Sequence, residues 1–263
     1  MGPIRRVNSP IVIKYGGSAM DDPRTMNETS RIISEIIHSG FPVLVVHGGG
    51  KEISRWQERL GLEAKFIEGI RYTDEASLEL TEMLLSGTIN KRVVSYLNRH
   101  GISATGISGR DCQLFQMSRV ENAGHVGEVQ KVRDKVLIDL LSIGLTPCIS
   151  PISEDSLGSP LNVNADEAAR AVAEALQADE LIYLSDVDGL KIGGALVERC
   201  SASELESLIL NPEVTGGMIP KLKSTLSALQ NGVKRVRFLN ALNPESIKRA
   251  VLNNERIGSE FFS

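Results

Sequence analysis

The sequence is poor in the residues that build metal centres and covalent frameworks. Its three cysteines, Cys112, Cys148 and Cys200, are odd in number and none belongs to a CxxC pair. That argues against a disulfide framework or a zinc site and favours a reducing cytoplasm. His38, His47, His100 and His125 are scattered without metal-ligand spacing. No apolar run approaches the roughly 18 residues of a transmembrane helix, and the first ten residues lack the apolar core of a signal peptide. The net charge is −4, with no basic block or arginine stripe, which excludes nucleic acid as the main partner. Internal repeats and low-complexity linkers are also missing. What remains is an ordinary globular composition, 41% hydrophobic and 24% charged over 263 residues, enough for one large α/β domain or two intimate lobes.

Against this plain background, two apolar runs end abruptly on glycine. Ile11–Tyr15 meets Gly16-Gly17, and Val43–His47 meets Gly48-Gly49-Gly50. Glycine lets backbone N–H groups approach an anion, and a following helix adds partial positive charge. Neither turn is a P-loop or a GxGxxG fingerprint, because Lys14 precedes the first glycine pair; kinase signatures of the HRD and DFG type are absent too. Further buried strands are predicted at Ser103–Ser108, Thr146–Ser150, Leu181–Ser185 and Arg235–Leu239. Helices are predicted at Pro23–His38, at Asp74–His100 with Thr73 as N-cap, at Asp134–Ile143 and at Glu167–Ala178. The alternation predicts an α/β fold, a mainly parallel open sheet with helices on both faces. Residues 110–133 break the rhythm as antiparallel strands, residues 189–200 read as a small hairpin, and Pro151, Gly158 and Pro160 mark a soft boundary.

Several polar residues sit where the pattern does not ask for them. Lys14 lies in an apolar strand, either as a snorkelling edge lysine or as an ammonium aimed at a phosphoryl oxygen. Asn162-Val163-Asn164-Ala165-Asp166 opens an alanine-rich helix, either as caps or as a dense set of orienting groups. Arg71 follows a glycine turn and is either a surface arginine or a fork for a carboxylate. Ser185, Asp186 and Gly189 end a strand at the edge where open α/β sheets hold ligands. After Gly216-Gly217, Pro220 stands near the helix start and Lys221 falls in the first turn, electrostatically ill-placed unless an anion binds there.

Taken in order, Lys-Tyr-Gly-Gly (14–17), Val-His-Gly-Gly-Gly (46–50), Gly-Ile-Arg-Tyr-Thr-Asp (69–74), Gly-Thr-Ile-Asn-Lys (87–91), Asn-Val-Asn-Ala-Asp (162–166), Leu-Ser-Asp-Val-Asp-Gly (184–189) and Gly-Gly-Met-Ile-Pro-Lys (216–221) resemble the amino acid kinase family. The resemblance runs from Ile11 to about Lys234 and is strongest to members that act on N-acetyl-L-glutamate. It implies a three-layer αβα sandwich. It also implies an N-terminal lobe (1–160) for the acetylated amino acid and dimerisation, and a C-terminal lobe (161–263) for ATP. By the same resemblance Lys14 and Lys221 stabilise the transferring phosphoryl group and Asp166 positions both. Gly49, Gly50, Arg71 and Asn162 contact N-acetyl-L-glutamate. Gly16, Gly17, Ser185, Asp186, Gly189, Val214 and Thr215 line the nucleotide site, and Mg²⁺ enters on the ATP phosphates, with no metal ligand from the protein. The implied reaction is phosphorylation of the γ-carboxylate in arginine biosynthesis. That carboxylate is already ionised at neutral pH, so no general base is required.

Two departures matter. Phe238–Pro244 stands where related kinases carry an aspartate-glycine-arginine type of turn, and Arg110 replaces a common lysine. The rival within the family is a kinase of carrier-linked aminoadipate or glutamate; the rival of another class is a catalytically silent nucleotide-binding regulator. Arginine-inhibited members carry an extra N-terminal helix that links dimers into hexamers, whereas about ten residues precede the first strand here. The expectation is a cytoplasmic homodimer without strong arginine feedback; hexamers in solution or inhibition by micromolar arginine would contradict it.

Overall fold

The computed structural model describes residues 9–67, 70–214 and 216–263. Short apolar runs without polar alternation need cover on both faces, and the chain supplies it by alternating strands and helices. β1 (Ile11–Tyr15) leads to α1 (Pro23–His38), whose cap Asp22 accepts a hydrogen bond from the Thr25 amide at 2.9 Å. β2 (Val43–His47) runs straight into α2 (Gly50–Arg59). A hairpin of β3 (Lys65–Ile67) and β4 (Ile70–Tyr72) follows. Then come α3 (Glu75–Glu82), a π-helical stretch Met83–Ile89, α4 (Asn90–Arg99) and β5 (Ala104–Ser108). β6 (Phe115–Arg119), β7 (Val126–Val132), α5 (Asp134–Ser142), β8 (Thr146–Ser150), β9 (Ile152–Glu154) and β10 (Pro160–Val163) lead into α6 (Ala165–Ala175). The last part holds β11 (Glu180–Ser185), the small hairpin β12 (Lys191–Ile192) and β13 (Ala195–Leu196), and β14 (Arg199–Ser201). It closes with α7 (Ala202–Ile209), α8 (Met218–Gln230), β15 (Arg235–Asn240), α9 (Glu245–Val251) and β16 (Ser259–Phe262).

Eight strands form one sheet in the order β14-β16-β15-β11-β1-β2-β8-β5. Neighbours are parallel except β15 and β16. β1 lies between β2 and β11, so the chain winds outward one way in its first half and the other way in its second. A crevice opens outside the C-terminal ends of strands at such a reversal. The irregular segment after β5 is real: β6 and β7 pair antiparallel and close with β9 and β10 into a small barrel. The Pro151–Pro160 cluster is the β9–β10 hairpin of that barrel.

The period-two alternation of a strand sorts the core into two layers. Val12, Leu44, Val46, Leu181, Tyr183 and Phe238 pack with α6 and α8, while Ile11, Ile13, Tyr15, Val45, Ile182 and Leu239 pack with α1, α4 and α9. Among the described residues no helix is long and apolar enough to cross a membrane.

Three local expectations need correction. Thr73 does not cap the long helix; Asp74 does, accepting from the Ser77 amide at 2.8 Å, while the Thr73 hydroxyl donates to the Arg71 carbonyl. That helix is also not uniformly α, because Gly87 lies inside the π-helical stretch. α6 starts two residues earlier than predicted, since Asn164 accepts the Asp166 amide and caps it. Pro220 occupies the third position of α8, still within the turn that lacks internal N–H partners.

Arg237 is 1% exposed, and its guanidinium meets Glu180 at 3.0 Å, Glu260 at 2.9 Å and the Ala250 carbonyl at 2.6 Å. Burial pushes the Glu180 carboxyl up, and Arg237 counters it. Arg237→Leu should therefore cost about 3 kcal/mol or more, because it strands buried carboxylates. Adding Glu180→Leu should recover part of the loss. Urea unfolding of the single and double variants measures both.

Candidate active site

Alternation along β1 decides where Lys14 points. Ile13 and Tyr15 face the α1 layer, so Lys14 shares the α6–α8 side with Val12. There α6 begins, and its cap fixes Asp166 in the first turn, where a carboxylate suits the helix dipole. α8 brings Lys221 to the same point. Lys14 Nζ lies 2.9 Å from Asp166 Oδ1, and Lys221 Nζ lies 2.7 Å from Asp166 Oδ2. The three side chains are only 14%, 23% and 14% exposed.

The electrostatics are tightly coupled. Burial alone would raise the Asp166 carboxyl, yet the two ammonium charges outweigh it and hold the group far below the usual carboxylate range. Burial lowers Lys221, and the Asp166 carboxylate opposes that shift. The Lys221 ammonium also stands over the Tyr183 ring at 4.9 Å and the Phe238 ring at 5.9 Å, a cation–π setting that keeps a buried ammonium tolerable. Tyr183 in turn donates to the Asp166 carbonyl at 3.3 Å.

The glycine turns flank this cluster. A Cβ on Gly16 would collide with Lys14 Nζ. Gly17 has φ +78°, and a Cβ there would collide with the Asp186 carboxylate. The Gly48 amide donates to the Tyr15 carbonyl at 2.8 Å, tying the two turns together. A Cβ on Gly49 would stand 2.5 Å from Ile89 and 2.8 Å from Leu85. Both side chains come from the π-helical stretch, which therefore walls the second turn.

A cleft of about 240 Å³ opens beside the cluster, lined by Lys14, Gly16, Gly17, Gly49, Gly50, Arg71 and Asn162 among others. Arg71 is pinned by Gln57 Oε1 at 2.5 Å, Ser54 Oγ at 2.8 Å and the Gly50 carbonyl at 3.1 Å, with its guanidinium 4.7 Å from the Phe66 ring centre. Asn162 Nδ2 donates to Thr73 Oγ1 at 3.3 Å. A second pocket of about 350 Å³ is lined by Asp186, Gly189, Leu190, Val214 and Met218. Ser185 ends β11 just short of it, its carbonyl accepting from the Ala241 amide. Thr215 lies outside the described residues. Asn240, from the segment that departs from the usual turn, donates to Asp188 at 2.8 Å.

Sequence reasoning passed over Lys51, Tyr183 and the π-helical wall. Lys51 was visible as a lysine in a helix's first turn directly after glycine, the same misfit that singled out Lys221. Tyr183 could be found only by pairing strands, since it is the β11 partner of Lys14.

Residues 9–240 match the profile of the amino acid kinase family. The chain belongs to that family. An acetylglutamate kinase of Campylobacter hominis is 36% identical over 260 residues, spanning 97% of this chain and 92% of that protein. An acetylglutamate kinase of a Thermoanaerobacter species is 40% identical over 256 residues, spanning 95% of this chain and 86% of that one. Among solved structures, N-acetylglutamate synthase of Neisseria gonorrhoeae, complexed with coenzyme A and N-acetyl-glutamate, has a TM-score of 0.86 at 23% identity. The match spans 99% of this chain but 61% of that longer one, and it is a likeness of fold. The mainly parallel sheet between helical layers is thus the fold of an amino acid kinase.

The depressed Asp166 sets a sign for acid stability. Its ion pairs stabilise the fold fully above the unfolded carboxylate value of about 3.9 and are lost as pH falls through the range below it. Asp166→Asn should lose about 3 kcal/mol or more at neutral pH and decline less steeply in acid. Urea unfolding from neutral pH to about pH 2 compares the two slopes; equal slopes would contradict the assignment.

Proposed function

We propose that this amino acid kinase uses ATP to phosphorylate the γ-carboxylate of N-acetyl-L-glutamate, giving N-acetyl-L-glutamyl 5-phosphate in arginine biosynthesis. The observation that carries the reading is one carboxylate, Asp166, holding Lys14 and Lys221 together at the edge of a cleft that also contains Arg71 and Asn162. The identity of 36–40% to acetylglutamate kinases over nearly the whole chain supports the choice of substrate.

In this reading the acceptor lies in the cleft. Arg71 and Asn162 hold its α-carboxylate, and the Gly49 and Gly50 amides face the reacting end. ATP enters over the second pocket, with Asp186, Gly189, Val214 and Thr215 along the nucleotide and Gly16-Gly17 under its phosphates. The central difficulty is that two anions must approach while charge spreads over the equatorial oxygens of the moving phosphoryl group. Lys14 and Lys221 meet that charge from two sides, and Asp166 fixes them without taking a proton. Mg²⁺ would enter on the nucleotide phosphates, as it does where phosphate oxygens and water supply most of its ligands. There the ion would neutralise phosphate charge.

The division of labour follows the sheet reversal: residues 1–160 hold the acceptor and the dimer surface, and residues 161–263 hold ATP, with Asn162 reaching back across. We infer a cytoplasmic homodimer, a setting that suits three unpaired cysteines.

Trapping the acyl phosphate with hydroxylamine tests the reading. ATP, Mg²⁺ and N-acetyl-L-glutamate should yield the hydroxamate; its absence, with turnover of carrier-linked aminoadipate, would overturn the substrate. Lys221→Ala should lower kcat by about 10²-fold or more while changing the substrate KM far less. Because burial lowers the Lys221 ammonium in the free protein, the alkaline limb of kcat/KM, which reports the free enzyme, should fall below the ordinary lysine value of about 10.4. Steady-state kinetics against pH measures both.

A further inference from the structure

One cation at this site has no part in the reaction as described. Lys51 is the second residue of α2, immediately after Gly50, and its Nζ lies 2.9 Å from Asp186 Oδ2. The pair reaches from the end of β2 to the end of β11, over the turn that ends β1. Asp186 is also the group that a Cβ on Gly17 would strike. The ion pair therefore lies across the first glycine turn like a strap.

Stability does not explain it. The lysine is 57% exposed and the aspartate 37%, and exposed pairs contribute little. A lysine in a first helical turn also opposes the helix dipole. The backbone beneath it, in contrast, is anchored. The next residue, Glu52, is 7% exposed and accepts from both terminal guanidinium nitrogens of Arg92 on α4, at 2.8 and 3.0 Å. Lys51 is thus a long flexible cation on a fixed base. It follows Gly50, which lines the acceptor cleft, and its partner Asp186 lines the nucleotide-side pocket.

We propose that Lys51 is a third phosphate-binding cation, specific for the γ-phosphoryl end of the nucleotide, and that Asp186 holds it over the Gly16-Gly17 turn until the triphosphate takes it. Its place after Gly50 and outside the lining of the nucleotide-side pocket makes it a reader of the terminal phosphate and not of the nucleoside. The exchange replaces one anionic partner with another, so the ammonium is never left bare. The assignment rests on the ATP-dependent reading given above.

Calorimetric titration of the full-length protein with Mg²⁺-ATP and Mg²⁺-ADP tests it. Lys51→Met should weaken ATP by about tenfold, the worth of one charge-assisted hydrogen bond, and leave ADP within about twofold on the same scale. Lys51→Arg should keep most of the preference for ATP, and Lys51→Gln serves if the methionine variant does not fold. Equal losses for ATP and ADP, or no loss for either, would overturn the assignment. The two readings fail separately. If wild type binds ATP with a preference that Lys51→Met removes, yet forms no acyl phosphate, the substrate is wrong and Lys51 stands. If wild type turns over and the variant is unchanged, Lys51 is wrong and the substrate stands. A wild type that does not bind ATP would sink both.

Discussion

A single carboxylate between two ammonium groups is the constraint around which the site is arranged. Lys14, Asp166 and Lys221 come from a strand and from the first turns of two helices far apart in the chain. Alone, two buried lysines repel each other and an isolated buried aspartate neutralises itself. Together they form a cluster with one net positive charge, held in low dielectric. The fold must deliver three backbones to one place, and a sheet whose winding reverses at β1 does so. β1 supplies one lysine, and the two helices packed over that face supply the rest.

The glycines are the steric counterpart of that charge. Gly16, Gly17 and Gly49 each lack a side chain where one would strike Lys14, Asp186 or the Leu85–Ile89 wall. What first reads as permission for an anion to approach is equally a requirement of the protein's own packing. The wall belongs to the π-helical stretch, and such irregular helix turns recur near functional sites. His47, the last residue of β2, is buried beside it, and burial drives its pKa down to about 4. It acts as a neutral hydrogen-bond partner of Asn90 at the base of the second turn.

Much of this was legible from residue order. Unbroken apolar runs such as Val43–His47 could only be strands covered on both faces, and Pro23 with Gly40 bounded α1 correctly. Lys14 and Lys221 stood out because each violated a local rule, one as a charge in an apolar strand and one as a cation at a positive helix end. What stayed hidden depends on long-range pairing. Nothing local to Tyr183 says that it lies beside Lys14, and nothing local to Asp186 says that it crosses over Gly17. The Thr73 reading failed for the opposite reason: two adjacent capping residues compete, and only backbone geometry decides that Asp74 wins. The π-helical turn has no sequence signature beyond a glycine inside an otherwise ordinary helix.

The sheet order carries a consequence for how the chain is made. β1 pairs on one side with β2, which follows within about thirty residues, and on the other with β11, which is synthesised roughly 165 residues later. At about 5–20 residues per second, that flank of an apolar strand waits on the order of ten seconds for its partner. During that interval it is an unpaired edge, open to association with other chains. Lys14 is then a charge inside an otherwise apolar edge, the kind of residue that keeps such an edge from pairing with the wrong strand.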